Sequence, residues 1–211
     1  MKKELILFDW DDTLFSKVEY KKNLRSSLAR ICKVSKEEIF DFEEKYFENL
    51  NKSDDFKIDD FVESFGQKFD KKIELEDFSS DKLGIYSKAL FPETISVLKS
   101  LKNNFDIGIY SQGFSSLQII KIKSSGIGEF FNKNFIYINR DKLNADFLAK
   151  LPDGAIIIDD KKEVVEKLNN LNRFSIVWVN RKNDEQLDGV VTIKNLEELI
   201  DLVNPENFVH K

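Results

Sequence analysis

Five short runs constrain this chain more than anything else in it: ELILFD (4–9), FDIGIYS (105–111), NFIYIN (134–139), GAIIID (154–159) and FSIVWVN (174–180). They are β-branched, aromatic and apolar at nearly every position. A strand with one wet face alternates polar and apolar residues, whereas a strand covered on both faces does not, so these runs read as parallel strands inside a sheet. Helix patterns lie between them. PETISVLKSLKNN (92–104) has Pro92 suited to a first turn and Asn103–Asn104 to a left-handed stop; SSLQIIKIKSSG (115–126) ends at Gly126, and KKEVVEKLNN (161–170) follows the fourth run. Strand and helix in alternation predict an α/β fold with a doubly wound parallel sheet. A weaker strand, GVVTI (189–193), extends an edge, and NLEELIDLV (195–203) is a closing helix with Asn195 and Glu198 as a capping pair.

Residues 16–89 behave differently. They hold no comparable strand run, and they carry helix-period segments near 17–33, 35–50, 57–70 and 80–90, the second opened by Ser35 with Glu38 three positions later. The domain reading is therefore a core made of 1–15 and 90–211, interrupted by an all-helical insertion, 16–89. Phe40, Phe47, Phe61, Phe65 and Phe69 recur through the insertion at helical spacing, which favours ordinary packing over a ligand cavity.

Composition narrows the chemistry. A chain of 211 residues can bury a substantial core, and its net charge of −5 comes from 33 basic and 38 acidic residues mixed along the sequence. No basic stripe points to nucleic acid, and no apolar run suits a membrane span or a signal peptide, so a cytoplasmic location is expected. Cys32 is the only cysteine and the residue six positions after it is Glu38, which excludes a thiolate phosphatase with a following arginine. The only histidine, His210, lies next to the C-terminus, removing histidine nucleophiles, Ser-His-Asp triads and histidine-rich metal centres. SGIG (125–128) follows a helix and is not a dinucleotide fingerprint. Catalysis would have to run on carboxylates, lysine, hydroxyls and a hard metal.

The polar residues that end the runs supply such a set: Asp9 and Asp11 after the first, Ser111 after the second, Lys142 just past the third, and Asp159 and Asp160 after the fourth. In an open parallel sheet the carboxyl ends of the strands form the ligand crevice. Four carboxylates converging there repel one another unless a cation and Lys142 offset them, and an all-oxygen set suits hydrated Mg²⁺. Mg²⁺ together with lysine and hydroxyl donors suits a phosphoryl group.

DWDDTL (9–14), IYSQG (109–113), Lys142 in DKLNADFLAKL and IIIDD (156–160) resemble, in this order, the four motifs of the haloacid dehalogenase superfamily of hydrolases. The helical insertion is similar to the family's type-I cap, and the resemblance implies a Rossmann-like core. It further implies that Asp9 is a nucleophile forming an aspartyl-phosphate and Asp11 a general acid and base. Ser111, Lys142 and the backbone around Gly113 would bind the phosphoryl oxygens, and Thr13 would orient Asp11 or its loop. Mg²⁺ would be held by Asp9, the Asp11 carbonyl, Asp160 and Asp159. The family's dehalogenases lack the second aspartate, since a halide leaves without a proton, so Asp11 points to phosphoester chemistry.

The implied activity is a Mg²⁺-dependent phosphomonoester hydrolase of a small phosphorylated metabolite, with monomer and homodimer both open. A sugar-phosphate mutase and a non-catalytic binding relative are the alternatives. Receiver domains share an acidic cluster and a lysine but carry no large helical insertion after the first strand. The sequence departs from the family pattern in three places. Ser111 stands where threonine is common, prolines are missing around Lys142, which keeps Lys121, Lys123 and Lys133 in view, and Val164 occupies a position often held by an acid or asparagine. Asp12 has no assigned chemistry and fills a position often held by glycine.

Overall fold

The computed structural model describes residues 3–50 and 55–203; His210 lies outside the described residues. The elements run β1 (Glu4–Phe8), α1 (Lys17–Cys32), α2 (Lys36–Asn49), α3 (Ile58–Lys68), α4 (Leu75–Ser79), α5 (Thr94–Leu101), β2 (Phe105–Gln112), α6 (Ser115–Ser124), β3 (Ile136–Asn139), α7 (Ala145–Leu148), β4 (Ile156–Asp159), α8 (Lys162–Asn169), β5 (Ser175–Val179), β6 (Val191–Ile193) and α9 (Glu197–Leu202). All six strands are parallel, in the order β3-β2-β1-β4-β5-β6. The strand order reverses around β1, the switch point at whose carboxyl ends open parallel sheets place their ligands. The architecture is α/β and Rossmann-like, as the apolar runs predict.

The runs lack alternation because both faces of the sheet are covered. Leu7, Tyr110, Ile157, Ile176 and Trp178 pack with Phe147 and Leu148 of α7 and with Val164, Val165 and Leu168 of α8. Their neighbours along the strands, Ile6, Phe8, Ile109 and Ile158, point to the other face and are equally buried. Each such side chain contributes roughly 1.5–3 kcal/mol by leaving water.

The chain forms two compact units. Residues 3–15, 91–112 and 129–203 make the sheet unit; 16–50, 55–90 and 113–128 make a helical unit, which includes α6. In the helical unit, α1 is capped by Ser16, whose hydroxyl accepts from Glu19 N, and α2 opens on the Ser35–Glu38 capping box. Arg25 of α1 ties to Glu43 of α2 through contacts of 2.6–3.1 Å.

Three local expectations are corrected. The segment 80–90 is not an α-helix and forms only a 3₁₀ turn at Ser87–Ala89: Asp81 and Gly84 take left-handed φ values of 58° and 67°, and the Asp81 carboxylate accepts from Tyr86 N and Ser87 N. Pro92 sits in the turn before α5 rather than in its first turn. Asn103 and Asn104 are not left-handed, and α5 stops at Leu101 with Lys102 still right-handed. The Asn195–Glu198 pair forms as expected: Glu198 Oε1 accepts from Asn195 N and Nδ2, and Asn195 Oδ1 accepts from Glu197 N at the start of α9.

The phenylalanines of the insertion divide. Phe61 and Phe65 are buried and Phe69 half-buried, as packing requires, but Phe40 and Phe47 are 48% and 46% exposed. These two join Phe56 and Phe61 in the wall of a cavity of about 530 Å³ within the helical unit. The reason is that α2 fully buries Ile39 alone, so its aromatic side chains extend past the packed face.

Gly108 of β2 marks a close approach. A Cβ there would lie 2.8 Å from Leu7 Cδ2 and nearer still to the Phe135 carbonyl oxygen, a backbone atom that cannot swing away. Gly108→Ala is expected to lower the unfolding free energy by about 3 kcal/mol, the upper end for overpacking, read from the urea midpoint at unchanged slope.

Candidate active site

β1 runs between β2 and β4, with Phe8 level with Ile109 on one side and Ile158 on the other. One residue further, Asp9 N donates to Ile158 O at 2.8 Å, which sets Asp9 beside Asp159 at the end of β4. Burial brings both carboxylates into the protein, Asp9 at 2% exposure and Asp159 at 0%. Lys142, also 0% exposed, extends its ammonium to both, 2.9 Å from Asp9 Oδ1 and 2.5 Å from Asp159 Oδ2.

The electrostatics follow from this triangle. Burial alone would push the lysine down, but the charges of Asp9 and Asp159, with hydrogen bonds to both, outweigh it and hold Lys142 above its ordinary range as a cation. Burial, with the neighbouring Asp9 charge, holds Asp159 above its ordinary range although Lys142 and the Lys161 N–H act to lower it. Two buried acids thus share one counter-charge.

Asp160 is half-buried beyond Asp159, and carboxylate oxygens of Asp9, Asp159 and Asp160 all lie within 4.8 Å of one another. Lys142 is the cation that reaches Asp9 and Asp159, and the donors of the group are all oxygen. That is a fit for a hard divalent cation such as Mg²⁺. The two neighbouring acids differ in how they are held. Asp159 has one oxygen on Lys142 and the other on Lys161 N, while Asp160 has its backbone carbonyl fixed by Trp178 Nε1 at 3.0 Å.

The loop after β1 turns sharply. Leu14 N and Phe15 N both donate to Trp10 O, and Asp12 N to Phe15 O. Asp12 is left-handed, φ 67°, a conformation open to glycine and tolerated by aspartate, so its place in the sequence is explained by the turn. Asp11 is half-buried and pairs with Phe15 in an isolated bridge. Trp10 is fully buried, stacked on Phe15 and edge-on to Phe131, a packing residue. The Thr13 hydroxyl is buried and makes no hydrogen bond, so no orienting contact to Asp11 is formed. The loop is held at the Thr13 carbonyl instead, which accepts from Arg181 at 3.1 Å, and Arg181 is anchored by Glu93 at 2.7 Å.

Ser111 is fully buried at the carboxyl end of β2, level with Ile138 of β3. Gly113, just past β2, begins the stretch that groups with the helical unit. Among the lysines left in view by the sequence, Lys123 and Lys133 are exposed, and Lys121 lies 5.1 Å from the Tyr20 ring in the helical unit. Lys142 is the one that meets the carboxylates. The prolines missing around it are replaced by hydrogen bonds: Asp141 N to Asn139 Oδ1, Leu143 N to Asp141 Oδ1, Gln112 Nε2 to Arg140 O, and Tyr110 Oη to Lys142 O. Val164 is buried in the core against the sheet and offers no ligand.

Sequence reasoning missed three residues of this site: Tyr110, Trp178 and Arg181. Arg181 had a signal, since it follows the fifth run as the other polar residues follow theirs. Tyr110 and Trp178 had none, because an aromatic residue inside a strand run reads as core.

The strand order and the helical segment that follows β1 match the fold of solved structures described as haloacid dehalogenase-type hydrolases. No protein-family model matches the sequence. A HAD phosphatase from Thermococcus onnurineus aligns over 97% of this chain and 98% of its own, with TM-score 0.54 and 22% identity. YfnB of Bacillus subtilis, described as a HAD hydrolase and bound to magnesium, aligns over 97% and 100%, with TM-score 0.58 and 17% identity. Among curated proteins, the pyrimidine 5'-nucleotidase YjjG of Escherichia coli K12 is 27% identical over 126 residues, 53% of this chain. The match spans 56% of YjjG, little more than half its length. No helix among the described residues is long and apolar enough to cross a membrane.

Removing the counter-charge tests the triangle. Lys142→Met is expected to cost about 3–5 kcal/mol of unfolding free energy in EDTA, the range for stranding buried charge. Mg²⁺ should return part of that loss by binding the folded carboxylates. Urea unfolding with and without Mg²⁺ reads both effects.

Proposed function

We propose that this chain is a Mg²⁺-dependent phosphomonoester hydrolase of the haloacid dehalogenase superfamily, acting on a small phosphorylated metabolite. One observation carries the reading: Lys142 reaches Asp9 and Asp159 together, with Asp160 completing an all-oxygen group, and Asp11 stands two residues beyond Asp9. The four motifs in order and the likeness to the solved HAD structures support it.

With Oδ1 held by Lys142, Asp9 Oδ2 is the oxygen that would attack phosphorus. The bond from phosphorus to the leaving oxygen breaks as Asp11 donates its proton to that oxygen. Asp11 then takes a proton from the attacking water, and the bond between phosphorus and Asp9 breaks to release phosphate. Lys142 and the Ser111 hydroxyl would hold the transferring oxygens, with backbone N–H groups near Gly113. Asp9, Asp160 and the Asp11 carbonyl would hold Mg²⁺, and Asp159, both of whose oxygens are engaged, would serve chiefly to set Lys142. When bound, the ion supplies positive charge to the phosphoryl oxygens. Nucleoside monophosphates are the first metabolites to assay, because YjjG, to which the chain is similar over part of its length, is a pyrimidine 5'-nucleotidase.

Phosphate release from a metabolite panel with Mg²⁺ tests the reading, and Asp9→Asn is expected to abolish it; full turnover by that variant would sink the proposal. Asp11→Asn should slow alkyl phosphates roughly 10²–10⁴-fold, as loss of a general acid does. It should slow p-nitrophenyl phosphate far less in the first half-reaction, because nitrophenolate leaves without a proton. Burst kinetics separate the two halves. Formation of an isomer without free phosphate would mark a mutase instead.

A further inference from the structure

Lys142 is fixed at its far end by two carboxylates, but a lysine has a long flexible stem, and its ammonium is only as well placed as its backbone. The segment carrying it, RDKLN (140–144), lies between β3 and α7 and contains no proline. Its hydrogen bonds from Asp141 N, Leu143 N, Gln112 and Lys167 are all exposed, so water can substitute for any of them. The bond from Tyr110 Oη to Lys142 O is buried. Breaking that one strands a carbonyl where no water reaches it.

Tyr110 is itself immovable. It is fully buried in β2, its ring stacks on Phe147 at 6.0 Å and 18°, and it packs in the cluster formed by α7, α8 and the sheet. The same ring lies 5.3 Å from the Lys142 ammonium. One side chain therefore holds the lysine's carbonyl by a hydrogen bond and faces its charge with an aromatic surface. The neighbouring residue, Ser111, is a proposed phosphoryl ligand, so the strand that presents the serine also sets the lysine.

We propose that Tyr110 is a positioning residue for the reaction: its hydroxyl clamps the backbone of Lys142 so that the ammonium sits between Asp9 and Asp159. The activity arm of its test rests on the phosphomonoesterase reading above. Tyr110→Phe keeps the ring, its stacking and its place beside the ammonium, and removes only the donor. Phosphate release from an aryl phosphate in excess Mg²⁺ is measured for wild type, Tyr110→Phe, Lys142→Met and the double variant. The expected result is a kcat about tenfold lower in Tyr110→Phe with KM moved less than about twofold, and a loss below about twofold when the change is added to Lys142→Met. The same loss on both backgrounds, or an unchanged kcat in folded Tyr110→Phe, overturns the proposal.

Because Lys142→Met strands buried charge and lowers the yield of folded protein, a second readout uses no Lys142 variant. In ¹³C,¹⁵N-labelled protein the Lys142 ammonium, assigned through its Cε, should exchange with water about tenfold faster or more in Tyr110→Phe than in wild type. Equal exchange overturns the proposal. Full turnover by Asp9→Asn would overturn the phosphomonoesterase reading alone, and ammonium exchange would still judge the clamp.

Discussion

The ion triangle of Lys142, Asp9 and Asp159 is the constraint on which the rest of this site depends. Two carboxylates are buried side by side because β1 and β4 are neighbours and both end in aspartate. Nothing in a hydrophobic sheet can solvate them, so a cation has to be brought in from elsewhere in the chain. It comes from beyond β3, two strands away from β1, across β2. The order of the sheet is therefore part of the charge balance.

That balance assigns different work to similar residues. Asp159 has its oxygens on Lys142 and the Lys161 N–H and belongs to the scaffold of the site, whereas Asp160 is half-buried and held through its backbone carbonyl. Around them lies a layer whose side chains bond to the backbone of the site. Tyr110 binds the Lys142 carbonyl, Trp178 the Asp160 carbonyl and Arg181 the Thr13 carbonyl. Each comes from a strand or a strand end, and each fixes a loop that carries a polar side chain of the site. Rigid strands thereby set the geometry of loops that would otherwise be free to drift.

Much of the fold was legible in the sequence because burial on both faces removes alternation, and every apolar run became a strand of the parallel sheet. The helical insertion was legible for the converse reason, and the Ser35–Glu38 box formed as its spacing required. What failed was local. The helix expected over 80–90 lost to an aspartate side chain that captured the backbone N–H groups, and the left-handed stop at Asn103–Asn104 lost to a right-handed turn after Leu101, closed by Asn104 N donating to Leu101 O. The segment 113–128 joins the helical unit, a grouping that no residue within it announces.

By itself the sequence determined the class of sheet and the acids at its strand ends, since these follow from residue types and their order. Tertiary structure decided which lysine meets the acids, which of Asp159 and Asp160 is consumed by that meeting, and why Asp12 stands where a left-handed turn is needed. It also revealed that the Thr13 hydroxyl makes no hydrogen bond while its carbonyl is held. The first of these depends on a distance between residues more than a hundred positions apart in the chain, Asp9 and Lys142. Only strand order and register set such distances, and no local pattern encodes them.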